Sequence, residues 1–170
     1  SKISAELLSY NYHYHYGINT AILRFFTVYG PFGRPDMVIF KFIKLILENK
    51  PITMYGDGKS SRDYTYVTDV SDALIASTKL NGYEIFNVGG GDATTLNNLV
   101  NIIESFLNKK AIIKKIPRDP SDVEHSLADI TKISEKLNWQ PMYNIEKGVR
   151  ETGKWFLDNL KFISSINLKD

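Results

Sequence analysis

The stretch that most restricts the fold of this chain is Ala21-Ile22-Leu23-Arg24-Phe25-Phe26, followed by Thr27-Val28-Tyr29-Gly30-Pro31-Phe32-Gly33-Arg34-Pro35-Asp36-Met37. An apolar run broken only by Arg24 reads as a strand buried on both faces, as in a parallel sheet. Gly30-Pro31 and Gly33 impose a turn, and Pro35-Asp36 marks the entry to a helix that Asp36 could cap. In an open α/β sheet, ligands sit beyond the carboxyl ends of the strands. Thr27, Tyr29 and Arg34 therefore fall in or beside a ligand-facing loop. A strand, a turn and a cap explain the glycines and prolines. They do not explain an arginine and a hydroxyl at the mouth of a buried strand.

The flanking sequence repeats this alternation. Residues 1 to 16 read as a helix closed by Gly17, a favoured residue just past a helix end. Its later part, Tyr10 to Tyr16, is unusually aromatic. His13 and His15 are two apart, so on a helix they point to different sides, and a packing or subunit-contact surface is the better reading than a metal site. Val38, Ile39, Phe42, Ile43, Ile46 and Leu47 recur at helical spacing and Lys50-Pro51 ends that helix. Strands are expected at Ile52–Tyr55, Tyr64–Val67, Glu84–Val88 and Ala111–Ile116. Helices are expected from Thr68, from a Thr95 cap through Leu107, and near Ile130–Leu137 and Ile145–Leu157. The tail from Lys161 reads as loosely ordered. Strands alternating with helices make the class α/β.

Composition excludes several functions. The chain has 170 residues and a formal net charge of +2, with its lysines scattered, which argues against nucleic acid. With no cysteine, disulfide frameworks and cysteine-based zinc sites are out, and a cytoplasmic location is the expectation. No apolar run is long enough to span a bilayer. Ser1-Lys2 runs straight into Ile3-Ser4-Ala5-Glu6-Leu7-Leu8, so the chain is expected to be a fragment that begins inside a helix.

Three motifs fail on spacing. Gly56-Asp57-Gly58-Lys59-Ser60 ends like a phosphate-binding P-loop, but Thr53 stands where the first glycine is required. Gly89-Gly90-Gly91 lacks G-x-G-x-x-G spacing, since Thr94 follows, and reads as a tight strand-to-helix turn. His125 is an isolated loop histidine with no Ser-His-Asp arrangement around it. Four features remain: Lys2; the Thr27–Arg34 loop; Gly56 to Tyr64; and Arg118-Asp119-Pro120-Ser121-Asp122. Arg62, in the third, suits phosphate because its planar donors grip two oxygens at once. A surface pair with Asp63 or Asp69 is the alternative.

Taken in order, these segments resemble one family. Ser1-Lys2-x-x-x-Glu6 looks like the end of the Tyr-x-x-x-Lys motif of extended short-chain dehydrogenase/reductases. Leu23 to Pro31 with Arg34-Pro35-Asp36-Met37 is similar to the nucleotide-sugar 4-epimerases, above all the UDP-glucuronate branch. Tyr55-Gly56-Asp57-Gly58, Arg62-Asp63-Tyr64, Val67-x-Asp69-Val70, Phe86-Asn87-Val88-Gly89 and Ala128-Asp129-Ile130-x-Lys132 continue the pattern. The resemblance runs to about Leu157 and is more specific for the superfamily than for the sugar.

It implies the C-terminal part of a Rossmann-like enzyme. Residues 1–34 would be a remnant of the NAD-binding domain, 35–160 the nucleotide-sugar region and 161–170 a tail. The catalytic tyrosine would lie four residues before Lys2. Lys2 would hold the ribose of NAD and lower that tyrosine's pKa, with Phe26 also beside the cofactor. Tyr55 would lie by the uracil, with the Thr53 backbone at its edge. Arg62 would bind the diphosphate, and Asp122 would meet the uridine ribose or its neighbours. Thr27 would reach the sugar or its carboxylate, with Arg34 behind it. The full-length enzyme would be a homodimer built partly on the helix carrying Lys2. One departure is Asp119, where related enzymes often carry an arginine; Arg118 sits one residue earlier. Val123-Glu124-His125-Ser126 resembles epimerases of N-acetylated sugars. Dehydratases or decarboxylases on the same scaffold, and a non-catalytic sugar-nucleotide-binding module, remain alternatives.

Overall fold

A computed structural model describes residues 1–166. Helix α1 (Lys2–Tyr16) ends where Gly17 adopts the left-handed conformation and its N–H returns to His13 O. Strand β1 (Thr20–Phe25) pairs in parallel with β5 (Tyr83–Val88), Leu23 opposite Phe86. The chain bends at Phe26 and continues as β2 (Thr27–Tyr29), which leaves β1's sheet and pairs in parallel with β4 (Ser61–Tyr66). A short β6 (Ala93–Thr95), which no alternation pattern announces, closes that sheet antiparallel to β4. The third sheet pairs β3 (Pro51–Tyr55) with β7 (Ile112–Ile116).

Helices cover these pairs. Helix α2 (Val38–Leu47) and α4 (Leu96–Leu107) bury the apolar faces read from their periodicity, with Ile39, Ile43, Ile46, Leu99 and Ile103 at 2% exposure or less. They pack with α6 (Ile145–Asp158) around Tyr29, Ile52, Met54 and Phe156. A second cluster joins α3 (Val67–Ser77) and α5 (Thr131–Leu137) to β5 through Ala73, Phe86, Val88, Ile133 and Trp139. Among the described residues no helix is long and apolar enough to cross a membrane.

Three expectations need correction. β1 is half-buried at best, and Arg24 and Phe25 are exposed, because β5 is its only strand neighbour among the described residues. Arg24 is no flaw in the apolar run: its guanidinium grips both Glu6 carboxylate oxygens, at 2.8 and 2.6 Å, and ties β1 to α1. Asp36 does not cap α2. Met37 holds the cap position without a side-chain bond, and Asp36 turns back to Arg34. The tail is not loose from Lys161, since α7 (Leu160–Ser164) buries Ile163, and the buried Lys44 ammonium donates to Ile163 O at 2.6 Å. The rest of the expected tail, 167–170, lies outside the described residues.

Candidate functional site

The loop leaving β2 is built by two turns, Gly33 N–H to Gly30 O and Met37 N–H to Arg34 O. Gly30 has φ of 146°, and a Cβ there would run into the Val67 side chain, so glycine is required. The loop and α2 frame a narrow hollow of about 20 Å³ lined by Thr27, Arg34, Met37, Val38, Tyr64 and Thr152, among others. Thr27 lies opposite Tyr64 in the β2–β4 register. Arg34 stands at the rim, its guanidinium donating to Asp36 at 2.9 Å and to Met37 Sδ at 3.4 Å. Burial pushes the Tyr64 phenol up to about 12, so it stays protonated.

A second, larger hollow of about 420 Å³ adjoins the first, and Val38 lines both. Its floor is the outward face of β3 and β7. Strand alternation sends Ile52 and Met54 into the core and turns Thr53 and Tyr55 outward, with Tyr55 about half exposed. Lys114 sits opposite Thr53, and Ile116 opposite Tyr55. Lys41 and Phe42 of α2 form the wall.

Arg62 lines neither hollow. It precedes Tyr64 by two residues on β4, so it shares Tyr64's face roughly 7 Å along the strand. Its guanidinium donates to Asp122 Oδ1 at 2.9 Å and to the Ser61 and Glu124 carbonyls at 3.0 and 3.2 Å. The expected surface partner Asp63 or Asp69 is therefore replaced by Asp122, because both of those carboxylates are buried elsewhere. The loop bearing Asp122 is tied down by Ser61 N–H to Glu124 O, by His125 Nδ1 with Ser61 Oγ at 3.0 Å, and by an Arg118–Glu124 ion pair at 3.2 Å. His125 is thus a structural residue.

Thr27 and Arg34 are brought together, Thr53 and Tyr55 share the adjoining hollow, and Arg62 and Asp122 meet each other. Lys2 lies apart, exposed in the first turn of α1. Phe26 is half-buried between β1 and β2, its N–H on Val88 O.

Whether these residues suit NAD can be judged at the glycine turn after β5. Gly90 and Gly91 N–H groups point at an anion, but that anion is the Asp63 carboxylate. A Cβ at Gly89 would strike Ala128 and one at Gly90 would strike the Tyr64 carbonyl, so the turn is filled. The described residues thus offer no pyrophosphate seat there.

The family model for the NAD dependent epimerase/dehydratase family matches residues 1–89. The chain belongs to that family. A UDP-glucuronate 4-epimerase of Thermodesulfobacterium geofontis is 46% identical over 169 residues, which are 99% of this chain and 52% of the relative. A solved UDP-glucuronic acid 4-epimerase variant from Bacillus cereus, in complex with UDP-4-deoxy-4-fluoro-glucuronic acid and NAD, superposes with a TM-score of 0.85. It is 33% identical, with 92% of this chain and 51% of that one covered. A UDP-N-acetylglucosamine 4-epimerase from Methanobrevibacter ruminantium, in complex with UDP-N-acetylmuramic acid, gives a TM-score of 0.85 at 36% identity, over 92% of this chain and 52% of that one. This epimerase/dehydratase-family chain spans about half the length of the relatives it matches.

Sequence reasoning missed four residues that shape the hollows: Lys41, Met37, Val38 and Lys114. Lys41 is three residues after Val38 and one before Phe42, a spacing that puts all three on one side of α2. Lys114 carried no local signal, because its pairing with Thr53 joins residues far apart in the chain.

Proposed function

We propose that the chain is the substrate-binding half of an NAD-dependent UDP-sugar 4-epimerase of the UDP-glucuronate or UDP-glucose type. Residues 1–34 belong in this reading to the NAD-binding domain and residues 35–160 to the sugar-nucleotide region. NAD, when bound, accepts and returns the hydride at sugar C4. Lys2 places a positive charge where it stabilises the phenolate of a tyrosine one helical turn earlier, the general base for the 4-hydroxyl. Phe26 flanks the cofactor.

The observation that carries the reading is the adjacency of the two hollows across Val38. One offers Thr27 and Arg34 to the sugar, the other Thr53 and Tyr55 to the uracil. Arg62 takes the diphosphate by exchanging the Asp122 carboxylate for phosphate oxygens, which leaves Asp122 to accept from the uridine ribose. For a glucuronate, Thr27 and Arg34 have a further task. Its 4-keto intermediate is a β-keto acid that can lose carbon dioxide. Hydrogen bonds holding the carboxylate away from the geometry for C–C cleavage suppress that loss. The exposed tyrosines of α1, a helix with no buried residue, suit pairing of the whole protein as a dimer.

Isothermal titration of the chain with UDP-glucuronate, UDP-glucose, UDP and NAD tests the proposal. Heat of binding for the UDP compounds without one for NAD is expected. No binding of any UDP compound overturns it.

A further inference from the structure

Phe32, in the loop between β2 and α2, has φ of 58°. The other non-glycine residues with positive φ among the described residues are Asn49, Asn108 and Asn138, each just past a helix, where asparagine adopts that conformation readily. A phenylalanine there is strained, and such strain persists only where the surroundings hold it. The ring is 79% exposed, so core burial is not what holds it. It rests instead on the Trp155 ring of α6, with centroids 4.9 Å apart and planes tilted by 55°. Trp155 is itself fixed, edge-on to the buried Phe156. Hydrogen bonds supply no comparable tie. Among the described residues, those made by residues 31–36 stay within the stretch from Gly30 to Met37.

Thr152 lines the narrow hollow and lies three residues before Trp155, on the same side of α6. The helix that walls the hollow is therefore the helix that seats the Phe32 ring. Arg34 follows Phe32 by two residues, across Gly33, and its guanidinium bonds no farther than Asp36 and Met37. Resting on the sugar-end role proposed for Arg34, we propose that the Phe32–Trp155 stack braces this loop against α6 and makes Phe32 a positioning residue. It touches no ligand and holds the Arg34 guanidinium where a sugar carboxylate falls. The strain fits that task. A loop clamped out of its relaxed conformation has its arginine placed before the ligand arrives, so the cost of ordering it does not fall on binding. The gain goes to a sugar with a carboxylate and not to one with a neutral hydroxymethyl group.

Calorimetric titration of the full chain with UDP, UDP-glucose and UDP-glucuronate tests this in wild type, Phe32→Ala, Phe32→Tyr, Arg34→Ala and the variant carrying both Phe32→Ala and Arg34→Ala. Phe32 is exposed, so the fold is preserved and is checked by circular dichroism. Phe32→Ala is expected to weaken UDP-glucuronate by about threefold to tenfold, the range an aromatic pair is worth, and to spare UDP and UDP-glucose. Phe32→Tyr keeps the ring and is expected to bind as wild type does. The double variant is expected to bind UDP-glucuronate no more weakly than Arg34→Ala, because the brace acts through Arg34. Equal weakening of all three ligands by Phe32→Ala, additive losses in the double variant, or no rescue by Phe32→Tyr would make Phe32 a general packing residue. Each would overturn the inference and leave the proposed function standing. Unchanged binding by Phe32→Ala would overturn it equally. If Arg34→Ala leaves UDP-glucuronate binding intact, the role of Arg34 fails and the brace with it. A wild-type chain that binds no UDP compound would remove both.

Discussion

The carboxylate of Asp63 rests on the backbone N–H of Gly90, and its second oxygen accepts from Gly91 and, at 3.1 Å, from Ala128. One fully buried acid thus fastens β4 to the turn after β5 and to the segment before α5. Asp63→Ala is expected to cost roughly 3 kcal/mol or more, because it strands several buried N–H groups. Asp63→Asn, which keeps one acceptor oxygen, is expected to cost less. Urea unfolding of the two variants measures both.

That contact also marks where sequence reading stops. Spacing alone rejects Gly89-Gly90-Gly91 as a dinucleotide loop, but only the fold supplies the reason, an internal anion from a strand far away in the chain. Local signals performed well where the determinant is local. Gly17 ends α1, and Thr95 caps α4 through Asn98 N–H. The 3.6-residue period marks the buried faces of α2 and α4. What escaped was long-range. Strand β6 is three residues that exist only because β4 accepts them, and α7 is five residues fixed by Lys44 and a buried Ile163. That Thr27 and Arg34 border one loop and one hollow was legible because glycine, proline and arginine are close in sequence. The Arg62–Asp122 pair and the place of Lys114 were not.

Tyr29 predicts an unusual tolerance. Its buried hydroxyl has no hydrogen-bond partner among the described residues, and burial raises its pKa well above the ordinary tyrosine range, with Tyr66 and Asp69 adding to the shift. Tyr29→Phe is therefore expected to leave stability unchanged or raise it by about 1 kcal/mol. Gly148 packs directly on that hydroxyl, so Gly148→Ala is expected to cost roughly 1–3 kcal/mol. Thermal or urea denaturation separates these outcomes.

Glu84 predicts a pH dependence. Hydrogen bonds from Lys132 first and then Lys136 hold its carboxyl below the usual range in the folded chain and tie β5 to α5. A depressed acid contributes stability that is fully present above its unfolded pKa and is lost as pH falls through the folded value. Glu84→Gln is expected to flatten the loss of stability over that acidic interval and to leave the slope near neutrality untouched. Urea midpoints measured across the acidic range check the sign.

In the proposed function Arg34 and Arg62 serve different ends of one ligand. The most direct measurement is the affinity of UDP, UDP-glucose and UDP-glucuronate for the wild-type chain, Arg34→Ala and Arg62→Ala. Arg62→Ala is predicted to weaken all three by about tenfold or more, the effect of losing charge-assisted contacts. Arg34→Ala is predicted to spare UDP and UDP-glucose and to weaken UDP-glucuronate alone. Equal binding of all three ligands by wild type and both variants would contradict it.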